Sequence, residues 1–141
     1  MIIVNGVKGK ARPRFNMKSG VAYTPNGTKD FEKLIARTWL EEDKRFFGAG
    51  VPLQLNLRIF QKVPTVMNKR KVTKDDKVQM LRGIFKPTKK PDIDNIIKIV
   101  LDSLNGVAFA DDIQIVSVKA SKDFADSDFL EIELKHIGGE F

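Results

Sequence analysis

Cysteine is missing from this chain, which excludes disulfides, thiolate zinc sites and thiol catalysis together. Histidine occurs once, as His136 in a terminal strand-like pattern, so no His, Cys or Ser constellation for nucleophilic catalysis can be assembled around it. Long apolar runs are also lacking, and none approaches the roughly 20 residues of a membrane-spanning helix. The opening Met1-Ile2-Ile3-Val4-Asn5-Gly6 has neither the length nor the basic lead-in of a signal peptide, so a cytoplasmic location is expected, with no membrane association. No internal repeat, linker or shift of composition interrupts the 141 residues, and one domain is expected over residues 1–141.

The balance of charge is one-sided. Lys and Arg number 25 against 18 Asp and Glu, a formal net charge of +7 with a pI near 9.7, which favours a polyanionic partner. Hydrophobic periodicity predicts a mixed order of strands and helices, hence an α+β (mixed α/β) domain with a mixed sheet flanked by helices. Met1 to Val7 is β-branched and strand-like, and a basic loop from Lys8 to Tyr23 follows. Thr28 is read as the N-cap of a helix carrying Phe31, Leu34, Ile35, Thr38 and Trp39 and stopped by Gly48-Ala49-Gly50, with Phe31 and Trp39 in the core. Leu53, Leu55, Leu57 and Ile59 alternate with polar residues as in a half-buried strand. Thr73-x-x-Asp76 has the form of a capping box ahead of Val78, Met80 and Leu81, with Gly83 as the stop. Ile113 to Ala120 and Phe129 to Ile137 read as two strands joined by the turn-rich Asp123 to Asp128.

Acidic residues concentrate at one place in this basic chain, between Lys90 and Gln114. Ile93, Ile96, Ile97, Val100, Leu101 and Leu104 form an apolar stripe at helical spacing, and Asp94, Lys98 and Asp102 line the opposite face. Asn105-Gly106 closes this helix. Pro91 biases Lys90 to an extended shape and places Asp92 at the N-cap or just outside, where Asp92 and Asp94 would point the same way. Asp111-Asp112 stands at the start of the next strand. Taken singly, each acid fits a cap, a turn or a surface pair; taken together, they suit a hard divalent cation such as magnesium held against phosphate. Asp102, two turns from Asp94, is assigned a structural part. Ile99 falls outside the stripe and is a candidate contact with a partner chain.

Lys90-Pro91-Asp92-Ile93-Asp94-Asn95-Ile96-Ile97-Lys98, then Leu101-Asp102-Ser103-Leu104-Asn105-Gly106, then Asp111-Asp112-Ile113-Gln114 resembles the signature of the RusA-type Holliday junction resolvases, small endodeoxyribonucleases often carried by phages and prophages. Arg12-Pro13-Arg14-Phe15 and Tyr23-Thr24-Pro25 resemble the amino-terminal part of many members, and Val63 to Lys86 is the least diagnostic segment. The resemblance implies a RusA-like fold and a nuclease acting in recombination and repair. It implies catalytic acids Asp92, Asp94 and Asp112, an essential Lys98, and metal ligands Asp92, Asp94 and Asp112, with Asp111 as second choice for the third. It further implies magnesium, with manganese as a substitute, a four-way DNA junction as substrate, and a homodimer that makes paired symmetric nicks.

Two basic groups are expected to hold DNA through phosphate contacts: Lys8, Lys10, Arg12, Arg14 and Lys18 with Phe15 and Tyr23 among them, and Lys69, Arg70, Lys71, Lys74, Lys86, Lys89 and Lys90. Phe85, in Gly83-Ile84-Phe85-Lys86-Pro87, is a candidate wedge between bases, with core burial as the competing reading. The alternative reading of the whole chain is a non-catalytic, basic DNA-binding module whose acids are only caps and turn residues. A nucleotidyltransferase is disfavoured because no Gly-Ser element precedes the acids.

Overall fold

The computed structural model describes residues 1–11, 14–23 and 26–139, with Arg14, Tyr23 and Asn26 as backbone alone. The architecture is α+β. Four strands form the main sheet: β1 (Ile2–Asn5), β4 (Leu53–Lys62), β7 (Ile115–Ala125) and β8 (Phe129–His136), in spatial order β1-β8-β4-β7. β8 runs antiparallel to both its neighbours, whereas β4 and β7 are parallel. Two small hairpins stand apart, β2 (Arg14–Asn16) with β3 (Val21–Tyr23) and β5 (Val66–Met67) with β6 (Arg70–Lys71). The helices are α1 (Asn26–Thr38), α2 (Lys74–Leu81) and α3 (Ile93–Leu104). None of them is long and apolar enough to cross a membrane.

Alternation builds the core. Leu53, Leu55, Leu57 and Ile59 of β4, Leu130, Ile132 and Leu134 of β8, and Ile2 and Val4 of β1 are all buried on one sheet face. Phe31, Ile35 and Trp39 come down on that face from α1 and its extension, and Ile96, Val100 and Leu104 from α3. The registers give aliphatic rows across the sheet, such as Ile2–Ile132–Leu57. Each such side chain contributes about 1.5–3 kcal/mol by leaving water.

Several boundaries differ from the sequence expectation for identifiable reasons. The basic segment from Lys8 to Tyr23 contains the β2–β3 hairpin, closed by Gly20 at φ 70°. Thr28 lies inside α1 and is buried rather than capping it. That helix ends before the glycines: a π-helical turn, Trp39–Asp43, is closed by left-handed Lys44 at φ 68°, whose N–H donates to Trp39 O at 2.8 Å. The buried indole then donates to Arg45 O at 2.8 Å, so the chain has already reversed. β7 runs on to Ala125, because Lys62 of β4 still pairs with Ala125 and Phe124 is buried. Only the segment between Ala125 and Phe129 is left as the turn into β8. The Thr73–Asp76 capping box forms as expected, but Met80 alone of the apolar residues of α2 is buried. Ile99 is fully buried in its own core, which leaves it no surface to offer a partner chain.

Asp43 ties the end of the first helical segment to the amino terminus just ahead of β1, accepting from the Met1 ammonium at 3.0 Å. Arg45 Nε and Nη2 donate to its two oxygens at 2.7 and 2.9 Å, and this guanidinium, against an opposing effect of burial, lowers the carboxyl to about 2. Because the folded pKa is depressed below 3.8, the stabilisation is fully present above that value and is lost as pH falls through about 2. Asp43→Asn is expected to cost about 2 kcal/mol at neutral pH. Denaturant unfolding of both proteins at pH 7 and in strong acid checks this: the gap should close in acid.

Candidate active site

Pro91 and Asp92 set the start of α3. Proline lacks an N–H and disfavours helix in the residue before it, and Asp92 is extended, at φ −76° and ψ 157°. An aspartate at this position ordinarily turns its carboxylate onto the free N–H groups of the first turn. Asp92 makes no such bond; it accepts instead from Asn95 Nδ2 at 2.5 Å. The Asp94 carboxyl is in side-chain contact with it, and the Asn95 amide, followed by that contact, holds the Asp92 carboxyl below its usual range. Two exposed acids therefore sit side by side, neither spent on capping the helix.

Asp111 behaves differently. It caps the 3-10 turn Asp112–Gln114, accepting from Ile113 N at 3.2 Å, while its own N–H donates to Gln114 Oε1 at 2.9 Å. Gln114 is buried and donates onward to Gly48 O at 2.7 Å and Val51 O at 3.1 Å, which fastens this turn to the loop before β4. Asp112, exposed, has its carboxyl raised: the Asp111 side chain bonded to it is the largest cause, followed by burial and by the negative charges of Asp111 and Asp102. A cation would relieve the same repulsion that favours a proton there.

The two acid pairs stand at opposite ends of α3. α3 itself is roughly 18 Å long, twelve residues at about 1.5 Å each, with Asp92 and Asp94 at its first turn and Asp112 in the field of Asp102 in its last turn. Within one chain the structure does not bring Asp92 and Asp94 to Asp111 and Asp112, and among the described residues no three acidic or histidine side chains share a possible metal site.

Lys98, one turn beyond Asp94, is exposed and has no hydrogen bond or ion pair among the described residues. The surface ladder Asp94–Lys98–Asp102 does not form, because Asp102 pairs with Lys10 at 3.3 Å. Lys10 Nζ is held between Glu32 and Asp102, and the Glu32 contact raises its pKa most. Its N–H donates to Asn95 O at 3.1 Å. Gly9 beside it is seated so closely that a Cβ would stand 3.1 Å from both Pro91 Cβ and Asn95 Cβ. An open cleft of about 570 Å³ results, lined by Gly9, Lys10, Lys90, Pro91, Asp92 and Asn95.

The other expected DNA contacts are more scattered. Lys89 lines a neighbouring cavity of about 170 Å³ with Gln61 and Phe124. Phe85, 43% exposed, is not a core residue; it lines a cavity of about 330 Å³ with Met67, Arg70, Lys71 and Met80. Arg12 lies outside the described residues, and Arg14 is described only as backbone at the start of β2.

Lys122 is the functional-site neighbour that sequence reading missed, having ended the strand at Ala120. Its Nζ donates to Lys89 O at 2.7 Å and Pro91 O at 3.0 Å. Burial lowers its pKa, against the opposing charge of Asp92. The signal was present in the alternation Val118, Ala120, Lys122, Phe124, where a lysine occupies one place in an otherwise apolar series.

Two comparisons bear on this arrangement. An uncharacterized protein of Bacillus subtilis strain 168, YqaN, is 28% identical over 131 residues, which span 91% of this chain and 89% of that protein. The family model described as Endodeoxyribonuclease RusA matches residues 6–135, a span that takes in both acid pairs, Lys98, α3, β4, β7 and all but the last residue of β8. The chain therefore belongs to the RusA endodeoxyribonuclease family.

Proposed function

We propose that this protein is a magnesium-dependent, structure-selective endodeoxyribonuclease that resolves four-way DNA junctions by paired symmetric nicks, acting as a homodimer in recombination and repair. The observation that carries the reading is the Asp92–Asp94 pair, exposed side by side at the start of α3, with the Asp92 carboxylate withheld from helix capping and lining an open cleft beside Lys90. Family membership supports the nuclease activity. The donor set fits the metal: carboxylate oxygens are the hard ligands that magnesium prefers, and manganese accepts the same set. Asp92, Asp94 and Asp112 would hold it, with Asp111 kept mainly for its turn. A bound divalent ion supplies Lewis acidity at the scissile phosphate.

The placement of the acid pairs at opposite ends of α3, with no three acids together among the described residues, supports a site shared by two subunits. Across a two-fold axis perpendicular to α3, the paired helices run antiparallel, and Asp92 and Asp94 of one copy meet Asp112 of the other. An apolar edge is available for the contact: Ile113, Val116 and Val118 are 81%, 62% and 42% exposed at and along β7, an edge strand of the sheet. Two such sites per dimer suit two symmetric cuts. Lys98, free of ion pairs among the described residues, would place its charge near the negative charge that develops at phosphorus.

Asp92→Asn, Asp94→Asn and Asp112→Asn are each expected to bind a labelled junction and fail to cut it. Mixing Asp92→Asn with Asp112→Asn tests the shared site, because a mixed dimer then carries one site intact and one doubly altered. Magnesium-dependent nicking on a single strand should return; a mixture that stays inactive would place the site within one chain. Full activity of Asp92→Asn or Asp94→Asn alone would defeat the assignment and favour the non-catalytic binding module.

Lys98→Ala should lower kcat by roughly a hundredfold or more, with a stability change of only a few tenths of a kcal/mol. Single-turnover cleavage beside melting curves separates the two, and near-normal turnover would return Lys98 to the ordinary surface. Junction affinity should fall with salt at roughly −0.9 in log K per log salt for each phosphate neutralised. Lys89→Ala with Lys90→Ala should flatten that slope by roughly 0.9 for each phosphate left without its lysine, measured by fluorescence anisotropy in EDTA; an unchanged slope would remove both from the DNA surface.

A further inference from the structure

The inward face of the main sheet is aliphatic wherever its rows run from β1 to β4. One row crosses the sheet as Val4–Leu130–Ile59–Lys122. Its first three members are at most 1% exposed, and its fourth is a half-buried lysine. Gln61 is the next inward residue on β4, beyond Ile59. Polar groups at inward positions cost stability unless they find hydrogen-bond partners; the Lys122 ammonium and the Gln61 amide nitrogen find theirs in the same place, while Gln61 Oε1 is buried without a partner among the described residues.

Lys122 Nζ donates to Lys89 O at 2.7 Å and Pro91 O at 3.0 Å, and Gln61 Nε2 donates to Lys90 O at 3.3 Å. Three successive carbonyls immediately before Asp92 are thus each held by a side chain rooted in the sheet. Gly9, seated against Pro91 and Asn95, bounds the same strap. The segment has no helical bonds of its own to fix it, since α3 begins only at Ile93. Lys122 spends two of its three donors on these carbonyls, so phosphate binding is not its main part.

We propose that Lys122, backed by Gln61, is a positioning residue for the metal site: it clamps residues 89–91 to the sheet and so fixes the direction in which the Asp92 carboxylate projects into the cleft. This rests on the reading of Asp92 as a metal ligand. Side chains that orient metal ligands commonly change metal affinity by about ten- to a hundredfold when removed, and their loss leaves the ligand itself in place.

The test compares wild type, Lys122→Met, Lys122→Arg, Gln61→Leu and Asp92→Asn. Manganese affinity is read by water-proton relaxation without DNA, junction affinity by anisotropy in EDTA, and cleavage as a function of magnesium concentration. Lys122→Met, which keeps the apolar stem and removes the donors, should weaken manganese by about tenfold or more. It should keep junction affinity and regain most of its kcat at raised magnesium. Lys122→Arg should restore much of the affinity, and Gln61→Leu should shift it in the same direction by less. Should Lys122→Met fail to fold, Gln61→Leu carries the test with the same readouts. Unchanged manganese affinity in Lys122→Met, or in Gln61→Leu when that variant stands in, overturns the clamp. So does a loss of junction affinity with metal affinity intact, which would make Lys122 a DNA contact. If Asp92→Asn itself binds manganese normally, the ligand assignment fails instead, and the two failures are distinguishable.

Discussion

Burial of one side of α3 against the sheet and α1 is the constraint on which the other features depend. Ile96, Ile99, Val100 and Leu104 are completely removed from water, so the helix cannot rotate or slide without exposing them, at about 1.5–3 kcal/mol for each side chain. Fixing this one cylinder fixes both its ends. Asp92 and Asp94 are then committed to one end and the turn bearing Asp111 and Asp112 to the other, because β7 must pair in parallel with β4 and begins just past that turn. The separation of the acids follows from the core, not from the acids.

Electrostatics at the two ends are of different kinds. At Asp92, hydrogen bonding from Asn95 favours the charged carboxylate, and the strap before it is held by lysine and glutamine donors from below. At Asp112, a neighbouring acid favours the proton. A site that draws on both would join the Asp92 carboxylate, held in its charged form, with a carboxyl that gains from a cation. The surrounding net charge of +7 gives the protein a long-range attraction for DNA that the local acids do not cancel.

The structure also spends charges that the sequence leaves available. Lys10 is neutralised by Glu32 and Asp102, and Lys86 by Asp123 at 2.6 Å. Lys98 has no ion pair among the described residues, and Asp102, which helical spacing offers it as a partner, is taken by a residue from a loop far away in the chain.

Periodicity by itself determined the main elements: the alternation of Leu53 to Ile59, the stripe of α3, the Thr73–Asp76 box and the burial of Trp39 all follow from local spacing and local hydrogen bonding. The motif residues between Lys90 and Gln114 were equally legible, since they are a matter of residue type and order. Boundaries were less so. The stop of the first helix at Lys44 depends on an indole hydrogen bond to Arg45, and the continuation of β7 past Ala120 depends on a parallel partner far upstream in the chain. Only the tertiary structure decided that Asp92 does not cap its helix, that the acid pairs lie at opposite ends of α3, that Ile99 is core, and that Lys122 reaches beneath the strap before Asp92. Each of these turns on which distant segment fills the space beside a residue, and local spacing carries no record of that.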